Sequence, residues 1–319
     1  MSGVWVLTDG RPGNENPALA LAEALEPHGW PAAEVRRLAL RGWSSRLPAQ
    51  LWSALPAREA GWPFSGLADP SVAARPWPSL VISAGRRAAP VAAAMKRLGG
   101  VKAVQILDPK AGRFDAVITP EHDGLRGARV IPTLGSLSRV TPERARQAAE
   151  LWRPRLAGLP KPRLAALIGG PSGSARWTSA DSGRLAGALR AAEAAGWGLM
   201  VTASRRTPPE VAAALSGLRG FVWDGRGENP YPGILGLADA AAVTADSVNM
   251  ASEAASSGLP VNVFDLPGLS VKLRRFHDSL AGRGASRPWE DLPQTWEASP
   301  LREAERVAGV LVSDYIGRP

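Results

Sequence analysis

Residues 238–261 read Ala238-Asp239-Ala240-Ala241-Ala242-Val243-Thr244-Ala245-Asp246-Ser247-Val248-Asn249-Met250-Ala251-Ser252-Glu253-Ala254-Ala255-Ser256-Ser257-Gly258-Leu259-Pro260-Val261. The apolar run ending at Thr244 predicts a buried strand, and Ser247 stands where a helix needs a cap for its free N–H groups. The N-terminus of that helix offers a partial positive charge to a phosphate. Glu253 follows about two turns into the helix, where a carboxylate can reach a ribose diol. Gly258 closes the helix and Pro260 opens the next strand. The stretch is an anion-binding strand–helix–strand unit carrying one Glu that helix formation does not require.

Outward from this unit the same alternation recurs. Strands are predicted over 4–9, 34–40, 79–84, 103–108 and 116–120, with a helix over 17–26. A second series has strands over 163–168, 198–203, 221–223, 241–244 and 260–264, with helices over 180–195, 208–215 and 248–257. Strands alternating with helical stretches read as βαβ units around parallel sheets. Between the series, residues 153–162 hold three prolines (Pro154, Pro160, Pro162), which predict a linker. The expected organisation is an N-terminal αβα domain over 1–153, a C-terminal αβα domain over 163–295, and a terminal segment, 296–319, whose helix packs back on the first domain.

Each series opens with a glycine-containing turn after its first strand. In the first, Thr8-Asp9-Gly10-Arg11-Pro12-Gly13-Asn14-Glu15-Asn16 places two carboxylates, Asp9 and Glu15, outside the end of a parallel strand, where ligands of open sheets bind. Its glycine spacing is not that of a dinucleotide fingerprint, and Glu15 also suits a helix cap. In the second, Ile168-Gly169-Gly170-Pro171-Ser172-Gly173-Ser174 offers backbone N–H groups and hydroxyls to a phosphate but lacks the Gly-Lys-Ser/Thr of a P-loop. Arg205 and Arg206 follow the next strand, and two cations there predict a diphosphate contact. His122, in Pro120-Glu121-His122-Asp123, is a cleft candidate or a structural histidine.

The chain has 319 residues and a formal net charge of +9, without cysteine and with three His. Disulfides and thiolate metal sites are excluded, and the few His argue against a zinc site. Residues 1–155 carry 21 basic and 13 acidic side chains, so nearly all the excess charge lies in the first half. Between Glu34 and Glu59 there are five Arg and no acid, with Trp43, Leu47, Leu51, Trp52 and Leu55 interleaved. Arg41, Trp43, Arg46 and Trp52 therefore form a candidate contact with an anionic membrane surface; the alternative is a loop packing its Trp residues on the core. No nucleic-acid motif accompanies the basic residues, and no run is long enough to span a bilayer. The opening residues show no signal peptide, which predicts a cytoplasmic protein, peripheral on the inner membrane.

The Glu253 unit resembles the donor site of GT-B glycosyltransferases, in particular the UDP-sugar enzyme that completes lipid II. The chain more specifically resembles the elongated-mitochondria (mitochondrial fission) family, whose bacterial members carry a glycosyltransferase label. Segments 9–16, 80–86, 104–109, 113–123, 168–172, 204–208, 223–225 and 229–263 carry this resemblance, Thr244-Ala245-Asp246-Ser247 with Ser252-Glu253-Ala254 most characteristically. It implies an α/β, GT-B-like fold of two facing Rossmann-like αβα domains with a cleft between them. The acceptor would lie on the first domain and a nucleoside-diphosphate sugar on the second, with no metal or other cofactor. Gly170, Ser172 and Arg205 or Arg206 would address the diphosphate; Thr244, Ser247 and Asn249 the phosphates or sugar; Glu253 the ribose. Arg11, Gly13, Asn14 and His122 would line the acceptor side. The lipid II enzyme has a His where this chain has Asn14, and Asn cannot take a proton at neutral pH, so Glu15 or Asp9 inherits the base role. Many relatives also have Gln at the place of Pro17. The implied function is metal-independent, inverting transfer of a sugar to a lipid-linked or envelope glycan. Two rivals are a non-catalytic membrane scaffold of the same fold and a nucleotide-sugar 2-epimerase.

Overall fold

The computed structural model describes residues 3–48, 51, 55–59, 61–215 and 217–319. The chain divides into two compact units, residues 1–139 with 303–319, and residues 140–302. Each is built on a six-stranded parallel sheet. In the first unit the spatial order is β2 (Glu34–Arg37), β1 (Val4–Thr8), β3 (Leu80–Ala84), β4 (Lys102–Ile106), β5 (Ala116–Pro120) and β6 (Val130–Thr133). In the second it is β12 (Ser286–Pro288), β11 (Val261–Phe264), β10 (Ala240–Thr244), β7 (Arg163–Ile168), β8 (Gly198–Ala203) and β9 (Phe221–Val222). These are two Rossmann-like αβα units. Among the described residues, no helix is long and apolar enough to cross a membrane.

Side chains alternate across a strand, so a central strand covered on both faces must be apolar throughout. β1 obeys this rule: Val4 and Val6 join one core, and Trp5 and Leu7 join the other. The first core is covered by helix α1 (Pro12–Leu25) and by the C-terminal helix, here α9 (Glu303–Leu311), through Ala304, Val307, Ala308 and Leu311. The second is covered by α2 (Ala89–Gly99) through Val91, Ala92 and Met95.

Several boundaries differ from the sequence expectation. Helix α1 begins at Pro12 instead of Pro17, because Pro12 occupies its first turn, where a missing N–H costs nothing. Asn14 and Glu15 consequently stand on the first turns of a helix instead of in a loop. Residues 140–153, expected in the first domain, belong to the second unit. They form α3 (Pro142–Leu156), which packs against α6 (Tyr231–Leu237). A Cβ at Gly236 would overlap the Ala145 carbonyl and one at Gly233 would overlap the Trp152 ring, so the two glycines permit this close approach. Pro154 does not stop the helix. It lies two residues from the end, and burial of Trp152 and Leu156 outweighs the one lost backbone bond. The strand expected over 34–40 ends at Arg37.

The remaining helices are α4 (Ser179–Ala194), α5 (Pro209–Leu215), α7 (Val248–Ser256) and α8 (Val271–Gly282). α4 starts with a capping box between Thr178 and Asp181.

Candidate functional site

In both sheets the chain reverses its direction of growth beside the first strand, between β1 and β3 in one unit and between β7 and β10 in the other. Ligands of open α/β sheets bind outside the strand ends at such switch points. Three candidates of the second unit, Gly170, Thr244 and Arg206, are joined there through Asp246. Gly169 N–H donates to Thr244 Oγ1 at 2.8 Å, and Gly170 N–H donates to Asp246 Oδ2 at 2.8 Å. Thr244 Oγ1 donates to Asp246 Oδ1 at 2.7 Å, closing a knot between the ends of β7 and β10. The Asp246 side chain is fully buried, and burial pushes its carboxyl above the usual range. A Cβ at Gly169 would overlap the Asp246 carboxylate, and one at Gly170 would overlap the Arg206 carbonyl. Only glycine leaves room for these two contacts.

The two arginines separate. Arg206 turns inward: its guanidinium donates to the Gly170 and Pro171 carbonyls at 3.0 and 3.2 Å and lies 3.5 Å from Asp246. It braces the glycine turn. Arg205 is exposed, and no contact of its side chain is found among the described residues. Ser172, also exposed, accepts through Oγ from Ser174 N–H at 3.2 Å. Ser247 caps α7 by accepting from Met250 N–H at 3.3 Å, which leaves its O–H free to donate. Asn249 is exposed on the first turn of α7.

Glu253 is half-buried, and Tyr231 O–H donates to its Oε2 at 2.7 Å. Burial raises the Glu253 carboxyl above its ordinary value, against the hydrogen bond from Tyr231, which lowers it. Burial and the neighbouring carboxylate push the Tyr231 phenol well up, so Tyr231 stays a donor. With Oε2 engaged, Oε1 is left for another donor. Sequence reasoning missed Tyr231, although it stands between Pro230 and Pro232 as one of two Tyr in the chain. It also gave Asp246 no role, although an acid amid an apolar run signals a buried anchor. His277 was missed as well. Its Nε2 lies 2.8 Å from the Ala245 carbonyl, and burial lowers its pKa, which keeps the ring neutral and holds the β10–α7 turn from behind.

In the first unit, Asp9 is nearly buried (side chain 5% exposed) and is fixed by Asn14 Nδ2, which donates to Oδ1 at 2.9 Å. Arg11 Nε lies 3.5 Å from Asp9 Oδ2, and the Arg11 backbone N–H donates to Oδ1 at 3.3 Å. Asn14 lies over the turn after β3, where Gly85 (φ +77°) has no Cβ to meet it. Gln105 supports that end of the sheet, accepting from Ser83 Oγ at 2.6 Å and donating to the Ile106 carbonyl at 2.6 Å. Gly13 is exposed on the first turn of α1. Glu15 is held in a bidentate pair by Arg37 at 2.9 and 2.8 Å, and that guanidinium lowers its carboxyl below the ordinary range. This pairing makes Glu15 a weak base. His122 is buried in the turn after β5, 3.9 Å from Asp123. Among the described residues no group of three or more His, Cys, Asp or Glu could hold a metal ion.

The Arg37 pair has a testable consequence. A carboxyl whose pKa is lowered on folding stabilises the protein above its unfolded value, and that stability is lost as the pH falls through the folded value. Arg37→Ala is therefore expected to lower the melting temperature slightly at pH 7, because Arg37 is 66% exposed and water screens the pair. The difference from wild type should shrink as the pH falls through the lowered Glu15 value, and thermal unfolding across that acid range checks this.

Of the membrane candidates, Arg41 is used by the fold: its Nε donates to the Leu67 carbonyl at 2.9 Å. Trp43 is 53% exposed and tilts against Trp62 with ring centroids 5.8 Å apart. Arg46 is exposed, and Trp52 lies outside the described residues.

The model of the mitochondrial fission ELM1 family matches residues 12–315. The chain belongs to that family. It is 32% identical over 266 residues to the mitochondrial fission protein ELM1 of Arabidopsis thaliana, covering 72% of this chain and 62% of that protein. It is 26% identical to the uncharacterized protein RP120 of Rickettsia prowazekii, covering 97% of each. Among solved structures it resembles a UDP-GlcNAc 2-epimerase of Methanocaldococcus jannaschii in complex with UDP-GlcNAc and UDP, with TM-score 0.55, 12% identity, and coverage of 98% and 99%. The Neisseria meningitidis UDP-GlcNAc 2-epimerase bound to UDP-GlcNAc gives TM-score 0.53 at 12% identity, covering 100% of this ELM1-family chain and 94% of that one. Anabaena Alr3699/HepE in complex with UDP and glucose gives 0.51 at 13%, covering 100% and 93%. At these identities the likeness establishes the fold.

Proposed function

We propose that this ELM1-family protein binds a nucleoside-diphosphate sugar on its second unit and transfers the sugar to a lipid-linked or envelope glycan acceptor on its first. The observation that carries the reading is Glu253, a carboxylate kept half-buried at an energetic cost, with one oxygen held by Tyr231 and the other available to a ribose hydroxyl. Three neighbouring structures whose bound ligands are UDP, UDP-GlcNAc or UDP with glucose support it by analogy of fold. The Ser247 hydroxyl, the first turn of α7 and Arg205 would take the diphosphate, while Arg206 and Asp246 keep the glycine turn in place.

Transfer needs a base. Glu15 is tied to Arg37, so the proposal places the base at Asp9 and gives Asn14 the task of orienting it. Asp9 would remove the acceptor hydroxyl proton, the acceptor oxygen would bond to the anomeric carbon, and the bond from that carbon to the diphosphate would break, with inversion. Arg205 and the α7 N-terminus would stabilise the charge on the departing diphosphate. The protein would work at an anionic membrane surface, in keeping with its basic first half.

Two observations favour a second reading: Asn14 cannot relay a proton, and the Glu15 carboxylate is neutralised by Arg37, which together suit a scaffold that binds nucleotide or membrane without chemistry. The test is transfer from labelled nucleotide sugars to envelope glycolipids. Asp9→Asn is expected to lower turnover by about 10²- to 10⁴-fold, the usual worth of a general base, while Glu15→Gln retains most of it. No transfer by wild type despite donor binding would support the scaffold. Sugar conversion without acceptor would support the epimerase.

A further inference from the structure

The first unit carries a cavity of about 520 Å³ that the donor and base sites do not use. It lies between α2 and Leu55, Ala57, Trp62 and Pro63, and its size falls within the range of about 300–1,000 Å³ of small-ligand sites. Its walls are apolar, with Leu55, Trp62, Pro90 and Ala93 among them. Its cationic residues are Lys96, Arg97 and Arg113, and among the described residues no carboxylate lines it. The three cations are not equivalent. The Lys96 ammonium is 2.5 Å from Asp115 and is neutralised there. Arg97 and Arg113 are exposed, and among the described residues neither has a hydrogen-bonding or ionic partner.

Beside this cavity the surface is unusually apolar. Trp43, Leu51 and Leu55 are 53%, 51% and 46% exposed, and Trp43 rests on Trp62, which lines the cavity. An apolar slot, free guanidinium groups that pair bidentately with phosphate, and exposed Trp and Leu beside them form the surface an anionic lipid fits: chain in the slot, phosphate on the cations, rings in the interfacial layer. We infer that this cavity is a lipid site that holds an acyl chain of an anionic phospholipid, with its phosphate on Arg97 and Arg113. The inference rests on the membrane-surface part of the proposed function and is independent of sugar transfer.

The test uses the full chain with vesicles of phosphatidylcholine alone or mixed with phosphatidylglycerol. Wild type is expected to bind the mixed vesicles at least about tenfold more tightly, and to keep a fraction bound when high salt screens surface charge. The double variant Arg97→Glu/Arg113→Glu should fall to the level of phosphatidylcholine alone. Ala93→Phe, which fills the slot and leaves the cations, should still bind at low salt but lose the salt-resistant fraction. Near-UV circular dichroism identifies a variant that has lost its fold, and the other variant then decides. The inference is overturned if the charge-reversed protein binds like wild type, if Ala93→Phe keeps salt-resistant binding, or if free glycerol phosphate releases wild type completely. Nucleotide binding is measured on the same preparations. A protein that binds vesicles but no nucleotide contradicts the donor site and leaves the lipid site standing; the converse overturns the lipid site alone.

Discussion

Glu253→Ala is expected to weaken binding of the cognate nucleoside diphosphate by about 10- to 100-fold, the worth of a hydrogen bond to a charged group. The substitution removes the free Oε1 and also strands the Tyr231 hydroxyl, whose acceptor is Oε2. Stability of the unliganded protein should move the other way in Glu253→Gln. Burial raises the Glu253 carboxyl on folding, so the folded state holds this proton more tightly than the unfolded chain. A group of that kind costs stability above its folded pKa, and the cost disappears as the pH falls through the raised value toward the ordinary one. Glu253→Gln removes the charge and keeps an acceptor for Tyr231. It should therefore melt higher than wild type at pH 7 and match it near pH 4. Calorimetric titration with nucleotide and thermal unfolding at both pH values check the two halves. Unchanged affinity in Glu253→Ala would contradict the donor role, and a lower melting temperature for Glu253→Gln at pH 7 would show that the carboxylate is structural.

Asp246→Ala should destabilise the protein by about 2–4 kcal/mol, the largest loss expected at the site. Three donors converge on that carboxylate: the Gly170 N–H, the Thr244 hydroxyl and the Arg206 guanidinium. The first two are buried, and a buried donor left without an acceptor costs about 1–3 kcal/mol. Asp246→Asn retains one acceptor oxygen for Gly170 and, since ionisation of the buried acid is itself costly, should lose about 1 kcal/mol or less. Denaturant unfolding of the two variants gives both numbers. Equal losses would mean that charge, and not the hydrogen-bonded knot, holds the turn.

The central strands were legible because both of their faces are buried, so Val4–Thr8, Ala116–Pro120 and Arg163–Ile168 appear as compact apolar runs closed by Gly or Pro. Edge strands lack that signal. Val130–Thr133 and Ser286–Pro288 are short, include Pro, and escape a reading based on apolar runs. Helix Val271–Gly282 was hidden because Leu273, Phe276 and Leu280 are its only buried residues among charged neighbours. Residues 140–153 were assigned to the wrong unit because prolines mark a chain's local punctuation, whereas the partner of Trp152 is a glycine 81 positions later. The site divides in the same way. Ser247, Gly170 and Glu253 announce themselves through local capping and turn chemistry. Their partners do not: Tyr231 and Glu253 are 22 residues apart, as are Glu15 and Arg37, and only the fold reveals that one carboxylate keeps a free oxygen while the other is locked.

The most direct measurement is thermal unfolding of the full chain with UDP, GDP, CMP and TDP and with their sugars, each with and without anionic vesicles. The account predicts that one nucleoside diphosphate, present at about 100 times its Kd, adds roughly 2.7 kcal/mol of stability to wild type, and that Glu253→Ala loses most of that gain. If none of them shifts wild type with or without vesicles, or if Glu253→Ala responds as wild type does, the second unit is not a nucleotide-sugar site.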